Sequence, residues 1–375
     1  MCIYKLKDGD VMKKILAIAV PIITLLLAGL CVMIFLDTDD DVAEKVTPVG
    51  VILNGNRNDM SWCTSHCEAL EISAEKLNLS LTYRESVTVD TIGDTIRELV
   101  ECGCEIVIAN SFEFGEYLKQ ASEMYPEVYF FHCSGVDEGK NFTSYFGRMY
   151  QMRYLTGIAA GLQTETNEIG YVAAFPISEV NRGINAFVLG VRSVNPEAKV
   201  YVRWINSWVS DEDARNAAEK LMDEHNIDII TMHTDSVEPI LVAEERGVMS
   251  IGYHRANPDI CPETYLTAAV WDWEKFYTTH IQHCIQGKFA GDNYWDGIDT
   301  GIVAVAELSD KAVAGAAEQI NAEYERLVNG THDVFYGPVY DNEGVLRIAE
   351  EESMTDNAML NEFDCYVEGV VIDED

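Results

Sequence analysis

The sequence predicts an α/β protein made of two doubly wound parallel-sheet lobes, and three observations carry that prediction. Apolar, β-branched runs alternate with helical runs across residues 49–273, and parallel strands need helical crossovers of this kind. The alternation breaks near Asn167 and then restarts as a second series. With 375 residues the chain is long enough for two domains, each with a sizeable core.

In chain order, residues 15–36 carry no charge and would span about 33 Å as a helix, enough to cross a bilayer. Lys5, Lys7, Lys13 and Lys14 precede this run, and Asp37, Asp39, Asp40 and Asp41 follow it. The positive-inside rule then places residues 1–14 in the cytoplasm and the bulk of the chain outside. A cleaved signal would have a shorter apolar region, and Leu30 before Cys31 is a poor lipoprotein site, so 15–36 is read as an uncleaved anchor. Residues 37–46 form an acidic linker. PVGVILNG then reads as a buried parallel strand ending at Asn54-Gly55. Asp59 or Ser61 can cap the helix that follows, whose Trp62, His66, Ala69, Leu70, Ser73 and Leu77 share one face.

Strand LSLTYRES, helix TIGDTIRELVECG and strand EIVIAN continue the series, the last ending at Asn110, Ser111, Phe112, Glu113 and Phe114. Helix FGEYLKQASEMYP, strand VYFFHCSG and strand FTSYFGRM follow, then a helix, YQMRYLTGIAAGL, whose small residues suit close packing. The second series opens with strand EIGYVAAF and helix ISEVNRGINAFVLGVRSV, stopped by Asn195-Pro196. Residues 202–236 form its central strand–helix–strand unit. One strand there ends in Trp204, Asn206, Ser207 and Trp208, the other in His233, Thr234, Asp235 and Ser236. Strands VMSIGYH and TYLTAAVW and helix EKFYTTHIQHCIQGK complete the alternation. The remainder holds a helix, DKAVAGAAEQINAEYERLVNG, and a hairpin around Asn342-Glu343-Gly344.

Ligands of open α/β sheets bind beyond the carboxyl ends of the strands. Five of the six tryptophans (Trp62, Trp204, Trp208, Trp271 and Trp273) fall at or near such ends. Indoles concentrated there suit a flat conjugated guest, because base–aromatic stacking contributes about 1–3 kcal/mol per base. Trp62, Phe114 and Trp208 are expected to flank the ring. Asn206 and Asp235 would read its polar edge, Asp235 as an acceptor for an amine or N–H. Ser111, Phe175 and Trp271 are further lining candidates, while Glu179 and Arg182 read as an interlobe or surface ion pair.

Several classes are disfavoured. The sequence has no nucleophile elbow, P-loop, H-E-x-x-H or G-x-G-x-x-G, so an enzyme is not expected. No cofactor is implied. Eight of the ten cysteines lie outside the anchor region, and neither Cys63/Cys67 nor Cys102/Cys104 has structural-zinc spacing. They read as small buried apolar residues, His66 as a core or pocket-lining residue, and no metal is expected. The net charge of −37 would repel phosphates and anionic lipid heads, so nucleic acid is not an expected partner.

The stretches IGYVAAFPISEVNRGINAFVLGVRSVNP, VRWINSWVSDEDARNAAEKL, MHTDSVEPILVAEERGVMSIGY and VFYGPVYDNEGVLRI resemble the basic membrane protein family of extracytoplasmic solute-binding proteins. Those proteins serve ABC importers, and the likeness is to the branch that binds a purine base or nucleoside. The resemblance implies a type I periplasmic-binding-protein fold, with the ligand between two lobes joined by three hinge crossings. It implies lobes of residues 47–164 with about 274–310, and 165–273 with about 311–375. Its first-loop motif of Asp, a variable residue, Ser, an aromatic and Asn falls on Asp59, Met60, Ser61, Trp62 and Cys63, making Asp59, Ser61 and Trp62 ligand candidates and leaving Cys63 in place of the Asn. Where the nucleoside-binding branch has an Asp for the ribose, Tyr253-His254-Arg255 stands, which favours a free base. The implied partners are the purine, an ABC permease and, through the anchor, the cell membrane. The alternative is a receptor subunit that reports its ligand to a membrane partner.

Overall fold

The structure, a computed structural model, describes residues 45–374; the expected anchor at 15–36 lies outside them. Among the described residues no helix is long and apolar enough to cross a membrane. The first series forms β1 (Thr47–Ile52), α1 (Trp62–Leu77), β2 (Leu79–Arg84), α2 (Ile92–Glu101), β3 (Ile106–Ala109), α3 (Gly115–Met124), β4 (Tyr129–Cys133), β5 (Glu138–Gly139) and β6 (Phe142–Gly147). The second forms α4 (Tyr150–Gln163), β7 (Glu168–Ala173), α5 (Ser178–Val194), β8 (Lys199–Trp204), α6 (Asp211–Glu224), β9 (Ile229–His233), α7 (Glu238–Arg246), β10 (Met249–His254) and β11 (Tyr265–Trp271). The chain ends with α8 (Trp273–Ile285), β12 (Asn293–Asp296), β13 (Val303–Val305), α9 (Ala316–Val328), β14 (Val339–Tyr340), β15 (Leu346–Ile348), α10 (Asp356–Asn361) and β16 (Val370–Ile372).

Two seven-stranded sheets result. The first runs β12-β6-β4-β3-β1-β2, with the short β5 antiparallel on β6; the second runs β13-β11-β10-β9-β7-β8-β16. Every pair in the first is parallel except β5–β6, and in the second only β11–β13 is antiparallel. The central strands β1, β3, β7 and β9 are almost wholly buried. Helices cover both faces of such strands, which is why their sequences are near-continuous apolar runs.

The chain passes between the sheets three times: between β6 and α4, between β11 and α8, and between β12 and β13. The first passage comes earlier than expected. α4 packs along α5 and touches β11 and β13, so residues 150–163 belong with the second sheet and not with the first lobe. β13 likewise pairs with β11, so residues 303–310 leave the first lobe too. The close helix pair explains the α4 placement. An added Cβ at Gly157 would lie 2.1 Å from the carbonyl oxygen of Phe187, and one at Gly190 would lie 2.0 Å from that of Tyr154. Backbone meets backbone there, and no side chain can yield. Six of the eight cysteines are buried and all eight are free, consistent with small core residues.

Gly190→Ala should therefore destabilise the protein by about 1–3 kcal/mol, the usual cost of overpacking. A urea midpoint unchanged from wild type would contradict so tight a crossing.

Candidate ligand-binding site

The cleft between the sheets is built from strand ends on both sides. Trp62, Asn110, Ser111, Phe112 and Ser134 come from the first lobe, and Glu179, Trp208, Asp235 and His254 from the second. Asp59 sets the position of Trp62. Its carboxylate accepts from the backbone N–H groups of Ser61 (2.8 Å), Cys63 (2.8 Å) and Thr64 (3.0 Å), satisfying the orphan donors at the start of α1. The Trp62 indole, starting that helix, donates through Nε1 to the Asn110 carbonyl at 2.8 Å. Its ring meets His66 edge-on at 4.3 Å and lies 4.8 Å from the His254 ring.

Asp235 is the pivot. It follows β9, and its backbone N–H donates to the Trp208 carbonyl at 2.8 Å, an oxygen that also accepts from the Thr234 hydroxyl at 2.7 Å. The carboxylate accepts from Asn54 Nδ2 across the cleft at 3.0 Å. Asn54 is held in turn: its backbone N–H donates to Asn110 Oδ1 at 3.0 Å, and its own Oδ1 accepts from the Cys63 thiol at 3.3 Å. Cys63 thus ties the two asparagines, since Asn110 Nδ2 also points to its sulfur at 3.4 Å. The other side of Asp235 faces His254 Nε2 at 3.4 Å. Trp271 settles the tautomer there. Its indole can only donate and does so to His254 Nδ1 at 3.1 Å, so the imidazole proton sits on Nε2, towards Asp235.

Burial controls the charges. It holds His254, His233 and His66 well below the usual histidine range, with the buried Arg153 pushing His254 and His233 further down. Burial also raises the Asp235 carboxyl well above the ordinary range, opposed by the Asn54 hydrogen bond and reinforced by Asp59, Glu179 and Glu113. Glu179 is pushed up to about 7 by burial, with Arg182 and the Ser134 hydroxyl pulling it back. The cleft therefore pairs neutral imidazoles with two carboxyl groups poised for protonation.

The free space has two parts. Around Trp62, Trp208 and Asp235 there is a slot with about 20 Å³ free, room for about one water. Beside it lies a chamber of about 220 Å³, lined by Phe112, Ser134, Phe146, Ile177, Glu179 and Arg182 among others. Phe112, Ser134 and Glu179 line both.

Of the residues expected at the site, Trp62, Ser111, Trp208 and Asp235 come together in the slot. Phe175 stands behind Trp208, edge-on at 5.4 Å, and Asp59 and Ser61 belong to the start of α1. Phe114 does not reach the cleft. A turn of 3-10 helix at Phe112–Phe114 sends it into the first-lobe core with Ile52 and Phe130, and Phe112 faces the cleft in its place. Asn206, expected to read the ligand's polar edge, is exposed, its backbone turned to φ 50°, while Asn54 is the amide that reaches Asp235 across the cleft. Trp271 is buried at the hinge, stacked on Trp273 at 4.2 Å, and orients His254 without lining the slot. Trp204 lies near Tyr366. Glu179 and Arg182, expected as an interlobe or surface ion pair, both line the cleft between the lobes. Asn110 and His254, noted at strand ends but not among the expected ligand contacts, also line the slot. His66 bonds the Tyr277 hydroxyl at 2.6 Å and stacks on Trp273, so it serves the core. A separate grouping of Glu224, His225 and Asp373 surrounds Arg203, which lies 2.5 Å from both carboxylates.

A hinge of three crossings and a cleft lined from both sheets define a two-lobed, periplasmic-binding-protein-like solute-binding protein. The chain belongs to the family of PnrA-like ABC transporter substrate-binding proteins, whose family model matches residues 46–336. It is 31% identical over 333 residues to a purine-binding protein of Brucella abortus, covering 88% of this chain and 94% of that one. It is 33% identical over 313 residues to a Haloferax volcanii protein named for ABC-transporter glucose binding, covering 83% and 77% respectively. Among solved structures, an ABC transporter solute-binding protein of Aeropyrum pernix matches the fold with a TM-score of 0.68 at 15% identity, over 76% of this chain and 92% of that one. A comK transcriptional activator of Bacillus halodurans matches with 0.66 at 24%, over 76% and 98%.

Because the native carboxyl of Glu179 binds its proton more tightly than the ordinary range near 4.5, the unfolded chain releases that proton first. The contribution of Glu179 to stability is thus full below about pH 4.5 and is lost as pH rises towards about 7. Glu179→Gln should remove this loss, so the stability of the variant relative to wild type should climb between pH 4.5 and 7 in urea titrations. A constant difference across that window would refute the buried environment assigned to Glu179.

Proposed function

We propose that this chain is the extracytoplasmic solute-binding component of an ABC importer, held at the membrane by residues 15–36, and that its cleft takes a purine. The observation that carries the ligand is the meeting of Trp62 and Trp208, from different lobes, around the Asp235 carboxyl. Two indoles offer a flat guest its stacking surfaces. Asp235 accepts from an exocyclic amine or ring N–H, the Nε2–H of His254 donates to a ring nitrogen, and Asn110 completes the polar edge. A relative named for purine binding and aligned over nearly its whole length supports the same ligand.

The slot is too narrow for a ring as it stands, so the lobes part at the three crossings and close again over the guest. Closure of this kind satisfies the ligand from both sides, and only the closed form makes all the contacts. The relative named for glucose binding makes a hexose the second reading, since sugars also stack on tryptophan.

Calorimetry of the chain without its first 46 residues, against adenine, adenosine and glucose, should show a purine binding with a Kd below about 100 µM. Trp208→Ala and Asp235→Asn should each weaken that binding at least tenfold, about 1.4 kcal/mol, in proteins whose circular dichroism matches wild type. Glucose binding without purine binding would overturn the ligand assignment.

A further inference from the structure

Behind the cleft, α4 carries a cation into the core of the second lobe. Arg153 is fully buried, and among the described residues no carboxylate lies within 4 Å of it. Its Nη2 donates to the Met232 carbonyl at 2.6 Å, and its Nη1 reaches the Thr231 hydroxyl at 3.4 Å. The guanidinium lies 3.6 Å from the centre of the Tyr253 ring and 5.5 Å from that of Tyr171. A guanidinium does not lose its proton inside a protein, and aromatic faces offset only part of its desolvation. An apolar side chain of similar volume is often tolerated as well or better in such a place. Stability alone therefore gives no reason for a charge there.

A reason lies one ring further on. Tyr253, against which Arg153 packs, also lies 3.7 Å from the His254 imidazole. His254 stands 3.4 Å from the buried Asp235 carboxyl, a neighbour that favours a second proton on the ring. Two features oppose that proton. Trp271 aims its only N–H at Nδ1, at 3.1 Å, so protonation there would set donor against donor. Arg153 opposes another positive charge so near. The titratable and charged groups around His254 are Asp235 after β9, Tyr253 on β10, His233 on β9, His66 on α1, Glu179 on α5 and Arg153 on α4. Of these, only the two carboxyls favour the imidazolium.

We infer that Arg153 is a positioning residue for the guest, which it does not touch: through Tyr253, and together with Trp271, it keeps His254 a neutral imidazole whose one proton stays on Nε2. The inference rests on the purine reading for the identity of the guest. An imidazolium would pair with an ionised Asp235 and occupy the acceptor that the guest's N–H needs. A neutral His254 leaves donor and acceptor side by side, since its buried Nε2 has no hydrogen-bond partner among the described residues. A ring that presents an acceptor next to an N–H satisfies both.

The test reads the histidine and the ligand separately, in the chain without its first 46 residues, which keeps every described strand and helix. Nitrogen-15 spectra, with His254 assigned by its loss in His254→Gln, should show a neutral ring protonated on Nε2 from about pH 8 down to about pH 5. In Arg153→Met the imidazolium should appear within that range. The variant's loss of adenine and adenosine affinity relative to wild type should grow at least about fivefold between about pH 7.5 and pH 5.5, because falling pH adds the proton that Arg153 excludes. Arg153→Lys restores the charge and should return both readouts towards wild type. A wild-type His254 already charged at about pH 7 would overturn the inference without any variant, which covers an Arg153→Met that does not fold. An Arg153→Met spectrum identical to wild type would overturn it equally. If neither purine binds wild type, the ligand reading falls and the spectra still decide the role of Arg153.

Discussion

Everything at the cleft turns on one buried carboxyl. Asp235 lies in the second lobe, yet one of its hydrogen bonds comes from Asn54 in the first. A buried acceptor left without a partner costs about 1–3 kcal/mol, more if charged, so the state in which the lobes meet is the state in which Asp235 is satisfied. The acid answers its desolvation partly by binding a proton more tightly. A ligand that offers N–H donors favours the ionised form instead, which links ligand binding to proton release. The supporting shell has the same purpose: Cys63 locks Asn54 against Asn110, and Trp271 fixes which nitrogen of His254 carries hydrogen.

That shell is continuous with the hinge. Trp271 ends β11, where the chain leaves the second sheet, and stacks on Trp273, where it joins the first; Trp273 packs on His66 and Trp62. Gly147, at the first crossing, lies so close that an added Cβ would come within 2.7 Å of the Trp271 ring. The aromatic cluster is therefore both the pivot of the lobes and the back wall of the site. A rotation at the crossings must shift the rings that orient His254 and Trp62.

Periodicity made the strands, helices and the doubling of the fold legible, because buried parallel strands leave apolar runs that few other structures produce. It misplaced the first crossing. Asn167 carries a turn signal, whereas β6 passes into α4 through Gly147, Arg148 and Met149 with nothing in the local sequence to mark a change of lobe. Strand-end logic picked out Trp62, Ser111, Trp208 and Asp235, which line one slot, since position along a strand fixes height in the sheet. It could not resolve direction. Phe112 and Phe114 differ by the phase of one 3-10 turn, Asn206 by a single positive φ, and Trp271 by lying where two sheets share a wall. Glu179 and Arg182 were legible only as an interlobe or surface ion pair, because an acid and a base at a helix start look like surface residues until the fold brings that helix to the cleft.

The contacts that narrow the slot are those a guest must displace. Trp62 reaches within 4.8 Å of His254, and Asn54 bridges to Asp235, so a ring entering there exchanges protein contacts for its own. Its net affinity is the difference between the two sets, and a ligand shifts the equilibrium between open and closed forms only by that difference. Two further links join the lobes beyond the slot: Arg255 to Glu68 at 3.0 Å, and the Asn257 amide to the Met60 carbonyl at 2.8 Å. The ion pair is exposed and contributes about 0–1 kcal/mol. Neither link involves a residue that lines the slot. In the proposed reading, selection falls to the faces of two indoles and the edge of one aspartate.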